Sequence, residues 1–213
     1  MQIGLPFERP AREPIAADAW LLPGLAAPVA ETLGAEIERI VAVAPWRTMT
    51  TPGGLPMSVT TTGCGTWGWC ASRAGYGYSR LDPESGRPWP ALPAAFAELA
   101  ARAAAQAGWP GFTPDACLLN RYAPGARMGL HQDRDERDLQ APIVSVSLGL
   151  PATFVFGGAE RTDPVVKVPL AHGDVVVFGG RARLCFHGVL PVRPGHHPRL
   201  GPWRVNLTFR RAR

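Results

Sequence analysis

The chain has 213 residues, with 24 glycines, 23 prolines, a hydrophobic fraction of 46% and a formal net charge of +5. So much Gly and Pro points to many turns and short strands and argues against a helical bundle, while the hydrophobic content suits a globular domain with a real core. The positive charge, carried by arginine everywhere except Lys167, mildly favours an anionic partner such as nucleic acid, although a GC-rich genome produces the same bias.

In chain order, residues 1–27 read as a Pro-rich arm lying on the body. Residues 28–44 read as a helix, because Leu33, Ile37, Ile40 and Val41 recur at helical spacing. Residues 46–90 hold four of the seven tryptophans with arginines interleaved, and read as hairpins and loops laid over the core as a lid. A second, Ala-rich helix spans 94–107 and is stopped by Gly108 and Pro110. From Asp115 the period changes to two. Strands are expected at 116–122, 128–133, 142–150, 152–157, 165–170, 173–178, 185–190 and 203–210, with Gly-rich turns between them. Eight short strands in this span predict a double-sheet jelly roll. The expected organisation is one structural unit, mainly β with flanking helices. Residues 1–90 form the arm, helix and lid, and residues 91–213 form the jelly-roll core.

The N-terminus carries charge and three prolines and lacks an apolar h-region, so no signal peptide is expected, and no run reaches the ~18 apolar residues of a membrane span. Cys64, Cys70, Cys117 and Cys185 form no CxxC pair. Reduced thiols, buried at Cys117 and Cys185, and a cytoplasmic monomer are the expectation.

His131, Gln132 and Asp133 sit at a probable strand end, where a period of two turns His131 and Asp133 to one face. His187 follows 54 residues later in another strand. Two imidazoles and one carboxylate on one face of a metal leave positions open for O2 and a co-substrate, the pattern of non-haem Fe(II) oxygenases. HxD alone is usually an ordinary surface pair; the later His and the strand setting make it specific. His172 reads as a loop residue beside a Gly-Asp turn, and His196 and His197 as solvated loop residues.

In the last strand Arg204, Asn206, Thr208 and Arg210 share one face, and Val205, Leu207 and Phe209 share the other. Two arginines inside a jelly roll need anionic partners, which a dicarboxylate would supply. Taken alone, the same pattern also describes an exposed basic edge strand. Asn120 and Tyr122 share a face and could reach the same ligand, or serve in ordinary sheet hydrogen bonds.

Together these segments resemble the AlkB family of Fe(II)/2-oxoglutarate dioxygenases, close to its bacterial DNA-repair members. The segments are TPGG at 51–54, PDACLLNRYAPGARMGLHQDRDE at 114–136, APIVSVSLGLPATFVFGG at 141–158, HGDVVVFGG at 172–180 and RVNLTFR at 204–210. The resemblance implies a double-stranded β-helix (jelly roll) with a nucleotide-recognition lid. It implies oxidative demethylation of 1-methyladenine- or 3-methylcytosine-type bases in single- or double-stranded DNA, with RNA as the alternative polymer. His131, Asp133 and His187 would bind Fe(II). Arg204, with Asn120 and Tyr122, would hold the distal carboxylate of 2-oxoglutarate, and Arg210 and Asn206 its metal-chelating end. Trp69 and His131 would sandwich the flipped base, Tyr76 would bond a phosphate, Asp135 would face the base edge and Arg161 the rim. Leu55 and Thr61 depart from the tyrosine and methionine of the family's lid. Other readings remain: the same chemistry on RNA or protein, a non-catalytic nucleic-acid binder, or a cupin isomerase with no use for Arg204 and Arg210 together.

Overall fold

A computed structural model describes residues 11–73 and 75–213 of the chain. Residues 1–10 of the expected arm lie outside the described residues. The architecture is two antiparallel sheets packed face to face, with two helices on the outer face of the larger one. The larger sheet has seven strands and the smaller four.

The N-terminal segment contributes strands that period-two reading missed. Strands β1 (Glu13–Ala16) and β2 (Ala19–Leu22) form a hairpin whose second strand pairs with the core. Helix α1 (Ala30–Val43) follows a 3-10 turn at Ala27–Val29 and buries Leu33, Ile37 and Ile40, the expected apolar stripe. Strand β3 (Thr60–Gly65) then joins the major sheet, so this part of the expected lid is core. Thr61 stands in that strand, fully buried opposite Asn120, rather than in a lid; Leu55 is 70% exposed. Strands β4 (Gly68–Ser72) and β5 (Gly75–Ser79) form a separate two-stranded hairpin. Helix α2 (Ala94–Ala107) ends at Gly108, whose φ of 108° is a left-handed cap.

The remaining strands follow the expected order: β6 (Ala116–Tyr122), β7 (Met128–His131), β8 (Ile143–Gly149), β9 (Ala152–Phe156), β10 (Val166–Leu170), β11 (Val175–Phe178), β12 (His187–Val189) and β13 (Arg204–Arg210). The major sheet runs β1-β2-β11-β8-β13-β6-β3 and the minor sheet β10-β9-β12-β7. This is the jelly roll that the strand spacing predicted.

Side-chain alternation splits the core into two layers. On β13, Val205, Leu207 and Phe209 face the helices with Phe96 and Leu99 of α2. On β11, Val175 and Val177 join that layer, while Val176 and Phe178 face the minor sheet with Phe154 and Phe156. All seven residues of β13 are buried, so it is no exposed basic edge. Its charged face looks into the space between the sheets, where burial of unpaired charge is costly.

Gly188 fixes how closely β12 approaches β7. A Cβ there would meet the Met128 carbonyl oxygen at 2.6 Å and the Gly129 backbone at 3.1 Å. Those are backbone atoms, so the strands themselves must separate. Gly188→Ala should therefore cost about 1–3 kcal/mol of stability, the usual scale of overpacking. It should also displace the neighbouring His187. A urea midpoint equal to the parent's would refute this tight approach.

Candidate active site

The cross-strand register makes neighbours of distant residues. His187 on β12 pairs directly with His131 on β7, and their rings lie 4.4 Å apart. Asp133 lies just beyond the end of β7, two residues past His131. Its Oδ1 is 3.8 Å from His131 Nε2 and its Oδ2 is 3.9 Å from His187 Nε2. One ligand atom from each of the three residues falls within a mutual 4.8 Å, and this is the only such cluster among the described residues.

The tautomers follow from the backbone. His131 Nδ1 lies 2.9 Å from the Gly129 carbonyl, and His187 Nδ1 lies 2.9 Å from the Cys185 carbonyl. A carbonyl only accepts, so both Nδ1 atoms carry the proton and both Nε2 lone pairs face the shared point, as a metal requires. Phe154, Phe156 and Phe178 ring His187 at 4.8–6.3 Å between centroids. Burial, with His131 nearby, pushes the His187 pKa down to about 4, so this imidazole is neutral near pH 7. Burial pushes the Asp133 carboxyl up, but Arg210, then His187 and His131, carry it well below the ordinary carboxylate range. Two imidazoles and one carboxylate suit a divalent cation with oxygen-reactive open positions.

Arg210 grips Asp133 Oδ2 through Nε at 3.1 Å and Nη2 at 2.8 Å. Arg204 differs. It is 1% exposed, its Nη2 donates to Ser147 Oγ at 3.1 Å, and its guanidinium lies over the Tyr122 ring at 4.7 Å. Its Nε and Nη1 have no partner. A buried guanidinium with two idle donors fits a missing carboxylate. Asn120 lines the same cavity with an unpaired Oδ1. Asn206 is committed within the sheet: its amide donates to Ser145 Oγ and the Val146 carbonyl, and its oxygen accepts from Thr208.

These groups line one cavity of about 440 Å³, together with Trp69, Tyr76, Asp135 and Arg161. Trp69 and Tyr76 stand on the β4–β5 hairpin and stack at 5.3 Å between centroids, 16° from parallel. The Trp69 indole N–H donates to Asp135 Oδ2 at 2.8 Å. Arg161 is exposed at the rim, its guanidinium 5.1 Å from the Phe186 ring. All twelve residues singled out from sequence therefore border one space. The same space also contains Ser145, and Ser147 supports it from Arg204; neither was singled out, because a serine in a strand carries no distinguishing pattern. His172 and His197 stay outside it: their rings lie 4.4 Å apart, tilted by 31°, and their Nδ1 atoms accept backbone N–H groups. Of the cysteines, all four are free and Cys117 is buried as expected, but Cys185 is only half-buried, because β12 begins after it. No described helix is long and apolar enough to cross a membrane.

The chain is similar to known proteins over nearly its whole length. Residues 18–210 match the 2OG-Fe(II) oxygenase superfamily. The alpha-ketoglutarate-dependent dioxygenase AlkB of Escherichia coli K12 is 55% identical over 203 residues, 95% of this chain and 94% of that protein. The AlkB homologue of Caulobacter vibrioides is 48% identical, across 80% of this chain and 76% of that one. The solved structure of OsALKBH1 superposes with a TM-score of 0.80 at 27% identity, covering 93% of this chain and all of that chain.

The depressed His187 pKa has a consequence for the metal-free protein. The unfolded side chain takes up its proton near pH 6.5, the folded one only near 4. Stability is therefore retained above about pH 6.5 and falls as the pH drops through this window, by on the order of 3 kcal/mol for this one group. Asp133 is also held low, so its share is lost only at still lower pH. Unfolding free energies between pH 7 and pH 4 should fall less steeply in His187→Asn than in the parent. Parallel curves would rule this out.

Proposed function

We propose that this chain oxidatively demethylates N-alkylated bases in DNA, and the premise is kinship: it belongs to the AlkB family of the 2OG-Fe(II) oxygenase superfamily and is a dioxygenase that uses Fe(II), 2-oxoglutarate and O2. The observation that carries the reading is a single cavity. In it the metal triad, the half-paired Arg204 and the Trp69–Asp135 pair border the same space.

His131, Asp133 and His187 would hold the metal. Arg204 receives the distal carboxylate of 2-oxoglutarate on its idle Nε and Nη1, with Asn120 and Tyr122 beside it. Arg210 keeps Asp133 charged and oriented, and borders the carboxylate nearer the metal; Asn206, tied to Ser145, keeps that wall rigid. Bound together, Fe(II), 2-oxoglutarate and O2 supply the oxidant: one oxygen enters the N-methyl C–H bond and the other enters succinate, with release of CO2. The N-hydroxymethyl product then loses formaldehyde by cleavage of its N–C bond, which restores the base.

The substrate reading rests on charge and shape. A 1-methyladenine or 3-methylcytosine is cationic near neutral pH, and both an aromatic face and a carboxylate favour a cation. Trp69 supplies the face on one side of the base and His131 borders the other, with Asp135 at its edge. Tyr76 backs the indole and offers its hydroxyl to a phosphate, and Arg161 neutralises charge at the rim. A methyl on a pairing edge is inaccessible inside a duplex, so the base enters flipped, and a lesion that pairs poorly flips at lower cost.

Mass spectrometry of a 1-methyladenine oligonucleotide incubated with the protein, Fe(II) and 2-oxoglutarate tests the reading. The expected result is loss of the methyl mass, matched by formaldehyde and succinate; succinate without demethylation of DNA or RNA would sink the substrate assignment. Trp69→Ala should weaken substrate binding by about 1–3 kcal/mol, the usual worth of one base stack. Arg204→Met should raise the KM for 2-oxoglutarate at least tenfold while metal affinity stays at the parent level. An unchanged KM would remove Arg204 from the co-substrate site.

A further inference from the structure

One buried carboxylate has no part in this reaction. Glu136 is 6% exposed and does not line the cavity, yet both of its oxygens are engaged. Its Oε2 accepts from Arg183 Nη2 at 2.9 Å. Its Oε1 accepts from the Tyr78 hydroxyl at 2.5 Å and lies 3.3 Å from Arg210 Nε. Arg183 continues the network, donating from Nε to the Ala141 carbonyl at 3.0 Å and from Nη1 to the backbone carbonyl of Asp133.

Arg210 Nε is therefore shared. It lies 3.1 Å from Asp133 Oδ2 and 3.3 Å from Glu136 Oε1. Two carboxylates compete for one guanidinium edge in a low-dielectric interior, where small changes of charge on one acceptor redirect the donor. Tyr78 tips this competition. It stands on β5 directly opposite Trp69, so the two side chains share the face of the hairpin turned to the 133–136 loop. Trp69 bonds Asp135 and Tyr78 bonds the next residue, Glu136.

We infer that Tyr78 and Glu136 are positioning residues for the metal ligand Asp133. The Tyr78 hydroxyl draws charge of Glu136 away from Arg210, which leaves the guanidinium on Asp133 and holds that carboxylate turned toward His131 and His187. The hairpin that carries Trp69 is thereby tied to the metal ligand through one buried hydroxyl. The inference rests on His131, Asp133 and His187 being the metal site.

Calorimetric titration of the full chain with Mn(II) tests it, at a temperature where circular dichroism finds each variant folded. Tyr78→Phe removes only the hydroxyl and should weaken Mn(II) binding about five- to tenfold, less than the 10–100-fold typical of a direct outer-shell partner. In a Glu136→Gln background the same substitution should have little further effect, because the charge it steers is gone. Parent-level affinity in Tyr78→Phe overturns the inference, whatever happens to Tm, and that variant decides the matter even if Glu136→Gln does not fold. An equal loss in the Glu136→Gln background also overturns it, since Tyr78 then acts by another route. A parent protein that binds no Mn(II) overturns instead the metal site on which the inference stands.

Discussion

The burial of two guanidinium groups on one strand is the constraint around which the rest of the site is arranged. β13 turns Arg204 and Arg210 inward between the sheets, where neither can keep a hydration shell. Arg210 is answered by Asp133, which is thereby locked as an anion beside two imidazoles. Arg204 is answered by the Ser147 hydroxyl and the Tyr122 side chain, neither of them an anion, and its Nε and Nη1 are left without a partner. The difference assigns the two roles. The satisfied arginine orients the Asp133 carboxylate, and the unsatisfied one is the arginine proposed above for the co-substrate's carboxylate.

Sheet register then decides which residues can act together. Strand pairing places His187 opposite His131, and Asn206 between Asn120 and Ser147. Because β7 ends at His131, Asp133 escapes the pleat and can turn its carboxylate back toward both imidazoles. The close seating of β12 at Gly188 keeps the imidazole pair together. Rigid strands hold His131, His187, Arg204 and Arg210, while Trp69 and Tyr76 stand on a separate hairpin and Asp135 and Arg161 on loops.

What was legible in the sequence was what repeats. Alternation along 204–210 separated the core face from the face turned to the cavity, and the HxD pair with a later strand histidine picked out the three residues that cluster in the structure. Short elements without alternation were not legible: β1 and β2 have four residues each, the first contains Pro14, and they are strands only because β11 offers an edge. β3 was hidden because Thr60–Thr62 lacks apolar alternation; its burial comes from the neighbouring β6. Glu136 and Arg183 have no signature at all, since a buried ion pair between residues 47 apart in sequence is a product of tertiary packing. Tyr78 did leave one: it shares the period-two face of Tyr76 on the same strand.

Asp135 and Glu136 make the final point about why adjacent acids in this loop differ. β7 ends before them, so no strand alternation sets their directions, and their bonding partners do. Asp135 lines the cavity and holds the indole of Trp69. Glu136 turns inward between two arginines, where no solute can reach it. The β4–β5 hairpin is held to this loop at two points, Trp69 on Asp135 and Tyr78 on Glu136, and elsewhere by bonds from Trp89 to the Ser79 carbonyl and from the Ala71 N–H to Met49. Of these, the tie through Tyr78 and Glu136 is the one that leads, through Arg210, to Asp133.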